Sequence, residues 1–145
     1  MMTDTIFIAS DHAGFTLKTS LTNHLRKNGW KVTDLGTNTE ASCDYPDFAH
    51  ALCAKVLENK GLGILVCGTG LGMSMAANRH HGIRAAMCTH EFQAAAARSH
   101  NNANVLCLGE RITAPALAGL MTDLFLATPF EGGRHEHRIA KIDID

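Results

Sequence analysis

Five short apolar runs, each separated from the next by a stretch with helical spacing, constrain this chain more than any single residue does. Thr5 to Ser10 reads as a strand, and Gly14 to Asn28 places Leu17, Leu21 and Leu25 on one helical face, with Lys18 and Arg26 elsewhere. Gly29 stops that helix. Lys31 to Leu35 reads as a second strand, Pro46 opens a helix with Phe48, Ala49, Leu52, Cys53 and Val56 inward, and Gly63 to Val66 is a third strand. Ser74 to Asn78 reads as the start of a helix. Ile83 to Met87, a helix from Glu91 to Ser99, the strand Val105 to Leu108 and a helix carrying Leu117, Leu120, Met121, Leu124 and Phe125 continue the alternation. A last helix covers Gly133 to Lys141.

Strands that alternate with helices pair in parallel through right-handed crossovers. The pattern therefore predicts a three-layer α/β/α sandwich with a Rossmann-like five-stranded parallel sheet covered on both faces. Strand order is not fixed by it. At 145 residues one domain, 1–145, is expected. Ligands of such folds bind beyond the C-terminal ends of the strands. Asp11 and His12 follow the first strand, Cys67 the third and Arg111 the fifth, so all of them should fall on one edge.

The sharpest motif is Cys67-Gly68-Thr69-Gly70-Leu71-Gly72, where strand hands over to helix. Glycines spaced by two let the backbone approach a ligand and turn bare N–H groups toward negative charge. Such a turn holds an oxyanion, and the same field favours thiolate over thiol, which makes a sulfur there a usable base. Buried cysteine is also common in cores, and Cys43, Cys53, Cys88 and Cys107 lie in apolar or ordinary settings.

Charge and cysteine spacing narrow the partners. A net charge of -1 without a basic run argues against nucleic acid, and no segment is long and apolar enough to cross a bilayer. Met1 to Ser10 lacks the pattern of a secretory signal. Five cysteines with no C-x-x-C spacing suit free thiols in the cytoplasm and suggest neither a disulfide framework nor a structural zinc site. Small molecules are the expected partners.

Other polar groups carry two readings each. Asp11 is either a helix N-cap or an acid paired with the adjacent His12 at a cleft edge. His100 closes a helix, where the dipole alone can account for it, ahead of Asn101 and Asn102. Arg134 and Arg138, four apart, either grip a dianionic phosphate from one helical face or form ordinary ion pairs with Glu131 and Glu136. The pairs His80-His81 and His135 with His137 lack carboxylate or cysteine ligands at metal spacing and read as surface histidines, so no metal site is expected. Tyr45, ahead of Pro46, either touches ligand or stacks on the turn.

Taken together, Ser10-Asp11-His12-Ala13-Gly14-Phe15, Asp44-Tyr45-Pro46, Cys67 to Gly72, Arg98 to Asn104, and Gly132-Gly133-Arg134-His135 with Arg138 resemble the ribose-5-phosphate isomerase B family over nearly the whole chain. That family also holds allose-6-phosphate and two-subunit galactose-6-phosphate isomerases. The resemblance implies a homodimer or homotetramer with active sites between subunits and no metal or organic cofactor. It further implies that Cys67 takes the carbon 2 proton, that Thr69 assists, and that the amides of Gly68, Thr69, Gly70, Leu71 and Gly72 hold the enediolate oxygen. His100 of a neighbouring subunit would open the ring. Asp11 would help His100 open the ring and, with His12, contact the sugar, Asn101 would contact a hydroxyl, and Arg111, Arg134 and Arg138 the phosphate, with Tyr45 on the pocket wall. One branch of the family uses a glutamate in the slot filled here by Met73, so the chain fits the cysteine branch. The reaction implied interconverts ribose 5-phosphate and ribulose 5-phosphate through a cis-enediol, in the pentose phosphate pathway. A hexose-phosphate isomerase, a sugar-phosphate sensor without a base, and a redox role for Cys67 are the alternatives.

Overall fold

The computed structural model describes residues 5–144, so the reading of Met1 to Ser10 rests partly on positions outside it. Its strands are β1 (Thr5–Ser10), β2 (Lys31–Asp34), β3 (Leu62–Cys67), β4 (Ala85–Met87) and β5 (Val105–Gly109), and every pairing is parallel. Helices α1 (Phe15–Lys27), α2 (Tyr45–Asn59), α3 (Leu71–Ala77), α4 (Glu91–Ser99), α5 (Pro115–Ala127) and α6 (Arg134–Ile139) separate and follow them. The expected α/β sandwich is present.

Side chains alternate across each strand, so odd and even positions of the sheet feed different cores. Ile6, Ile8, Ile64, Val66, Leu106 and Leu108 pack with Leu17, Leu21 and Leu25 of α1 and with Phe125 of α5. Phe7, Ala9, Leu65, Cys67, Val105 and Cys107 pack with Leu52, Cys53 and Val56 of α2 and with Met73 of α3. Each leucine of the α1 stripe, fully removed from water, contributes about 2 kcal/mol before entropy is counted.

The strand order is β2-β1-β3-β5-β4. Connections leave β1 toward β2 on one side, whereas β3, β5 and β4 lie on the other, so the order reverses between β1 and β3. This is the position at which open α/β sheets bind ligands. Ser10 pairs with Val66 and Cys67 with Gly109, which lines up the ends of β1, β3 and β5 along one edge as the sequence suggested.

Three differences from the sequence reading matter here. Helix α3 begins at Leu71 rather than Ser74, because Gly70 turns the chain directly off the strand. Strand β4 is limited to Ala85–Met87, since the Arg84 carbonyl is already accepting from Asn104 and Val105. Lys18 lies inside rather than on the polar face of α1. Its Nζ is 2.7 Å from both Asp34 carboxylate oxygens and from the Thr37 carbonyl, with the side chain 1% exposed.

Candidate active site

Cys67 ends β3 with its side chain toward α2 and α3, 5% exposed. Its Sγ accepts a hydrogen bond from the Gly70 N–H at 3.2 Å. Gly70 has φ of 84°, a left-handed turn that glycine enters without steric cost and that folds its amide back onto the sulfur. A direct N–H donor to an anion is worth about 1.5–3 kcal/mol, against about 0.3–1 kcal/mol for a helix terminus. Helix α3 is only seven residues long, so the contact that reaches the sulfur directly is this N–H of the turn.

The donors of this cradle are divided. Gly70 gives its N–H to the sulfur and Leu71 gives its own to Thr69 Oγ1 at 3.2 Å, so these two amides are not presented to a ligand oxygen as the sequence suggested. Gly68, Thr69 and Gly72 remain. Arg111, which follows β5, lies over Gly68: a Cβ there would meet its Nη1 at 3.2 Å. The Arg111 N–H also donates to the Gly68 carbonyl at 3.0 Å, tying the cation to the turn. The Tyr45 ring covers the other end, where a Cβ on Gly72 would stand 2.6 Å from it. Tyr45 therefore stacks on the turn.

Asp11 stands across the switch point, 6% exposed, and the N-cap reading is the one with a direct contact behind it. Its Oδ1 caps the following 3-10 turn by accepting from Ala13 and Gly14 at 3.0 and 3.1 Å. His12 accepts the Cys43 N–H on Nδ1 at 3.2 Å, which puts the proton of the neutral ring on Nε2 and pins the 36–45 loop beside it. Two residues that the sequence did not single out hold this edge together. Lys18 fixes the loop through Thr37, and Glu110 Oε1 accepts the Leu17 N–H of α1 at 2.8 Å.

The remaining candidates stand elsewhere. Helices α4 and α5 run back against the strands, so His100, Asn101, Arg134 and Arg138 collect at the N-terminal edge of the sheet. Val105 pairs with Gly63, four residues before Cys67, a separation of about 13 Å along the strand at about 3.3 Å per residue. His100 lies beyond Val105 still, so it does not meet Cys67 within one chain. His100 stacks on His135 with ring centroids 4.7 Å apart, and Glu131 stands 3.9 Å from the first and 3.5 Å from the second. His135 is thus a partner in a cluster rather than a free surface histidine. Arg134 and Arg138 extend from α6 with exposed side chains.

All five cysteines are free thiols, and burial separates them. Burial pushes the Cys53 thiol up to about 12 and Cys88 up to about 11, and it raises Cys107 further, with neighbouring thiols adding to the effect. None of those three can act as a base near neutrality. His80 is lowered by burial and by the adjacent His50, whose Nδ1 lies 2.6 Å from its Nε2. No helix among the described residues is long and apolar enough to cross a membrane.

Comparison with known proteins adds the family. The sequence model of the group described as Ribose/Galactose Isomerase matches residues 6–142. A probable ribose-5-phosphate isomerase B of Mycoplasma genitalium is 51% identical over 97% of this chain and 95% of its own. Ribose-5-phosphate isomerase B of Escherichia coli is 42% identical over 94% and 93%. Among solved structures, a ribose 5-phosphate isomerase of Thermotoga maritima superposes with a TM-score of 0.95 at 55% identity, covering 97% of both chains. The Mycoplasma genitalium enzyme, solved with bound ribulose-5-phosphate, gives 0.93 at 50% identity over 98% and 95%.

Proposed function

This chain belongs to the ribose/galactose isomerase family, and from that membership we propose that it interconverts ribose 5-phosphate and ribulose 5-phosphate with Cys67 as the base. It is an aldose–ketose isomerase. The observation that carries the assignment of the base is the Cys67 sulfur under the Gly70 amide, at the sheet's switch point between Asp11 and Arg111. Residues 1–145 act as one sugar-phosphate isomerase domain.

The chemistry follows from charge. Furanose opening needs a proton on the ring oxygen and loss of one from the anomeric hydroxyl; His100 from a second copy supplies the first, the Asp11 carboxylate takes the second, and His12 holds a sugar hydroxyl. Cys67 then removes the proton from carbon 2 as the carbon 1 carbonyl takes up the electron pair, forming a cis-enediolate. Its oxygen meets the Gly68, Thr69 and Gly72 amides and the Thr69 hydroxyl, donors aimed where charge grows. The carbon 2 hydroxyl proton passes to oxygen 1, and Cys67 returns its proton to carbon 1 as the carbon 2 carbonyl forms, which gives the ketose and the thiolate back. No metal or organic cofactor enters this sequence of steps.

The site is completed by a second copy, as a homodimer or a pair of dimers. Two observations support this. Cys67 and His100 lie on opposite edges of one sheet, and exposed Leu71, Met75 and Phe92, at 47%, 66% and 72%, leave apolar surface that a partner would cover. Arg134, Arg138 and Asn101 then arrive with His100, while Arg111 and Tyr45 stand on the Cys67 side. Free thiols suit the cytoplasm.

Replacing Cys67 with Ala should lower turnover by about a thousandfold while calorimetry still detects sugar-phosphate binding. Retained turnover, or retained exchange of the carbon 2 hydrogen with solvent, removes the thiolate as base. Assaying allose 6-phosphate beside ribose 5-phosphate tests the pentose preference.

A further inference from the structure

We propose that His100, Glu131 and His135 form a site for a divalent transition-metal ion of the zinc type, and that filling it inhibits the isomerase by withdrawing His100 from the sugar. The inhibitory half rests on the role given to His100 above; the metal-binding half stands on geometry alone.

Two imidazoles and one carboxylate are a donor set that borderline-soft divalent ions bind, with the ion about 2.0–2.2 Å from each atom. Here one ligand atom from each residue lies within 4.8 Å of the other two. His135 Nε2 stands 3.5 Å from Glu131 Oε1 and His100 Nε2 stands 3.9 Å from Oε2, near the about 3.3 Å spacing of ligands around a tetrahedral ion, so the set closes once His100 turns out of its stack on His135 and the carboxylate turns toward both rings. Backbone contacts hold the three frames together. The Glu131 N–H donates to the Ser99 carbonyl at 3.0 Å, next to His100, and the His135 N–H donates to the Gly132 carbonyl at 3.2 Å.

Access and charge set the affinity. His100, His135 and Arg138 line a hollow of about 400 Å³ that is open to solvent, which leaves room for a fourth ligand such as water. The Arg138 charge opposes a cation there, and the single carboxylate only partly compensates, so micromolar rather than nanomolar binding is expected. An ion on Nε2 of His100 takes the lone pair that the imidazole needs to carry a proton to the ring oxygen. Inhibition should therefore be strong for furanose ribose 5-phosphate.

The test uses the purified, chelator-washed protein with CoCl2 and ZnCl2. Cobalt should give a visible ligand-field spectrum at one ion per chain without the near-ultraviolet band of a cobalt–thiolate bond, and zinc should displace it. Glu131→Gln should weaken cobalt and zinc binding about tenfold or more while metal-free turnover stays near wild type, and the zinc inhibition constant should rise in step. His137→Gln, outside the cluster, should change neither. A thiolate band, or binding indifferent to Glu131→Gln, overturns the site. Binding lost in Glu131→Gln with inhibition unchanged overturns the inhibitory half. Full metal-free turnover in His100→Asn would instead sink the ring-opening role, a result the cobalt spectrum of wild type does not depend on.

Discussion

The two edges of the sheet are built in opposite ways. At the C-terminal edge, Cys67, Asp11 and Lys18 are buried, each is held by at least one short contact, and Arg111 and Tyr45 lie directly on the glycines beneath them. At the N-terminal edge, His100, Glu131, Arg134 and Arg138 stand in partial or full exposure on a short helix and a loop. The first edge is rigid, with its polar groups fixed by contacts inside the chain. The second gathers imidazole, carboxylate and guanidinium groups whose contacts among the described residues are mostly with one another. A functional site assembled from both needs two copies of the fold, each giving the half the other lacks.

Mixing inactive variants breaks or sustains that division most sharply. Cys67→Ala and His100→Asn should each lose about a thousandfold in turnover, and random reassembly of equal amounts should restore about a quarter of wild-type activity, since half the dimers carry one intact site of two. No recovery, with mixed dimers demonstrated by mass spectrometry, would place both residues in one chain's site.

The next effect in size contrasts the rigidity of the edges. Lys18→Met strands the Asp34 carboxylate and should cost about 3 kcal/mol in urea denaturation, together with a rise in KM as the 36–45 loop loosens. Glu131→Gln at the other edge should stay within about 0.5 kcal/mol of wild type. Equal costs would erase the contrast.

Smaller still are the effects of single methyl groups. A Cβ on Gly109 would stand 2.5 Å from the Thr69 backbone, so Gly109→Ala should cost about 2 kcal/mol and lower kcat by shifting the turn beside Cys67. On α5, well away from the cradle, the nearest atom to a Cβ on Gly119 is His24 at 3.6 Å; Gly119→Ala should stabilise by about 0.5 kcal/mol with kcat unchanged. Thermal unfolding and steady-state kinetics on both variants decide this.

Least in size is an alkaline effect from the core between the edges. Unfolded thiols ionise near 9.0, whereas folded Cys53 and Cys88 keep their protons to about 12 and about 11. The folded state then binds more protons above pH 9, so stability falls as pH rises through that window and is unaffected by these groups below it. Cys53→Ala should flatten the slope of the unfolding midpoint between pH 9 and 10.5.

Much of this was legible without coordinates because it depends on local spacing. Short apolar runs fixed the strand positions, and the residues just after them, Asp11, His12, Cys67 and Arg111, had to share an edge once the strands were parallel. The depth of Lys18 was not legible, since a lysine on a helix reads as solvated until its carboxylate partner on a neighbouring strand is known. Glu110 was missed for the same reason, since it meets Leu17 far away in sequence, and Glu131, read as an ion-pair partner of Arg134 and Arg138, faces His100 and His135 instead. Tyr45 was open between two readings until its contact with Gly72 was seen.

The order of residues alone determined the alternation of strand and helix, the parallel sheet and the glycine turn behind Cys67, because each arises from steric and burial preferences within a few neighbours. Tertiary structure alone decided the strand order, the switch point between β1 and β3, the Gly70 amide on the sulfur and the separation of His100 from Cys67. Those depend on how the crossovers stack the strands side by side, and local preferences carry no information about which strand becomes whose neighbour.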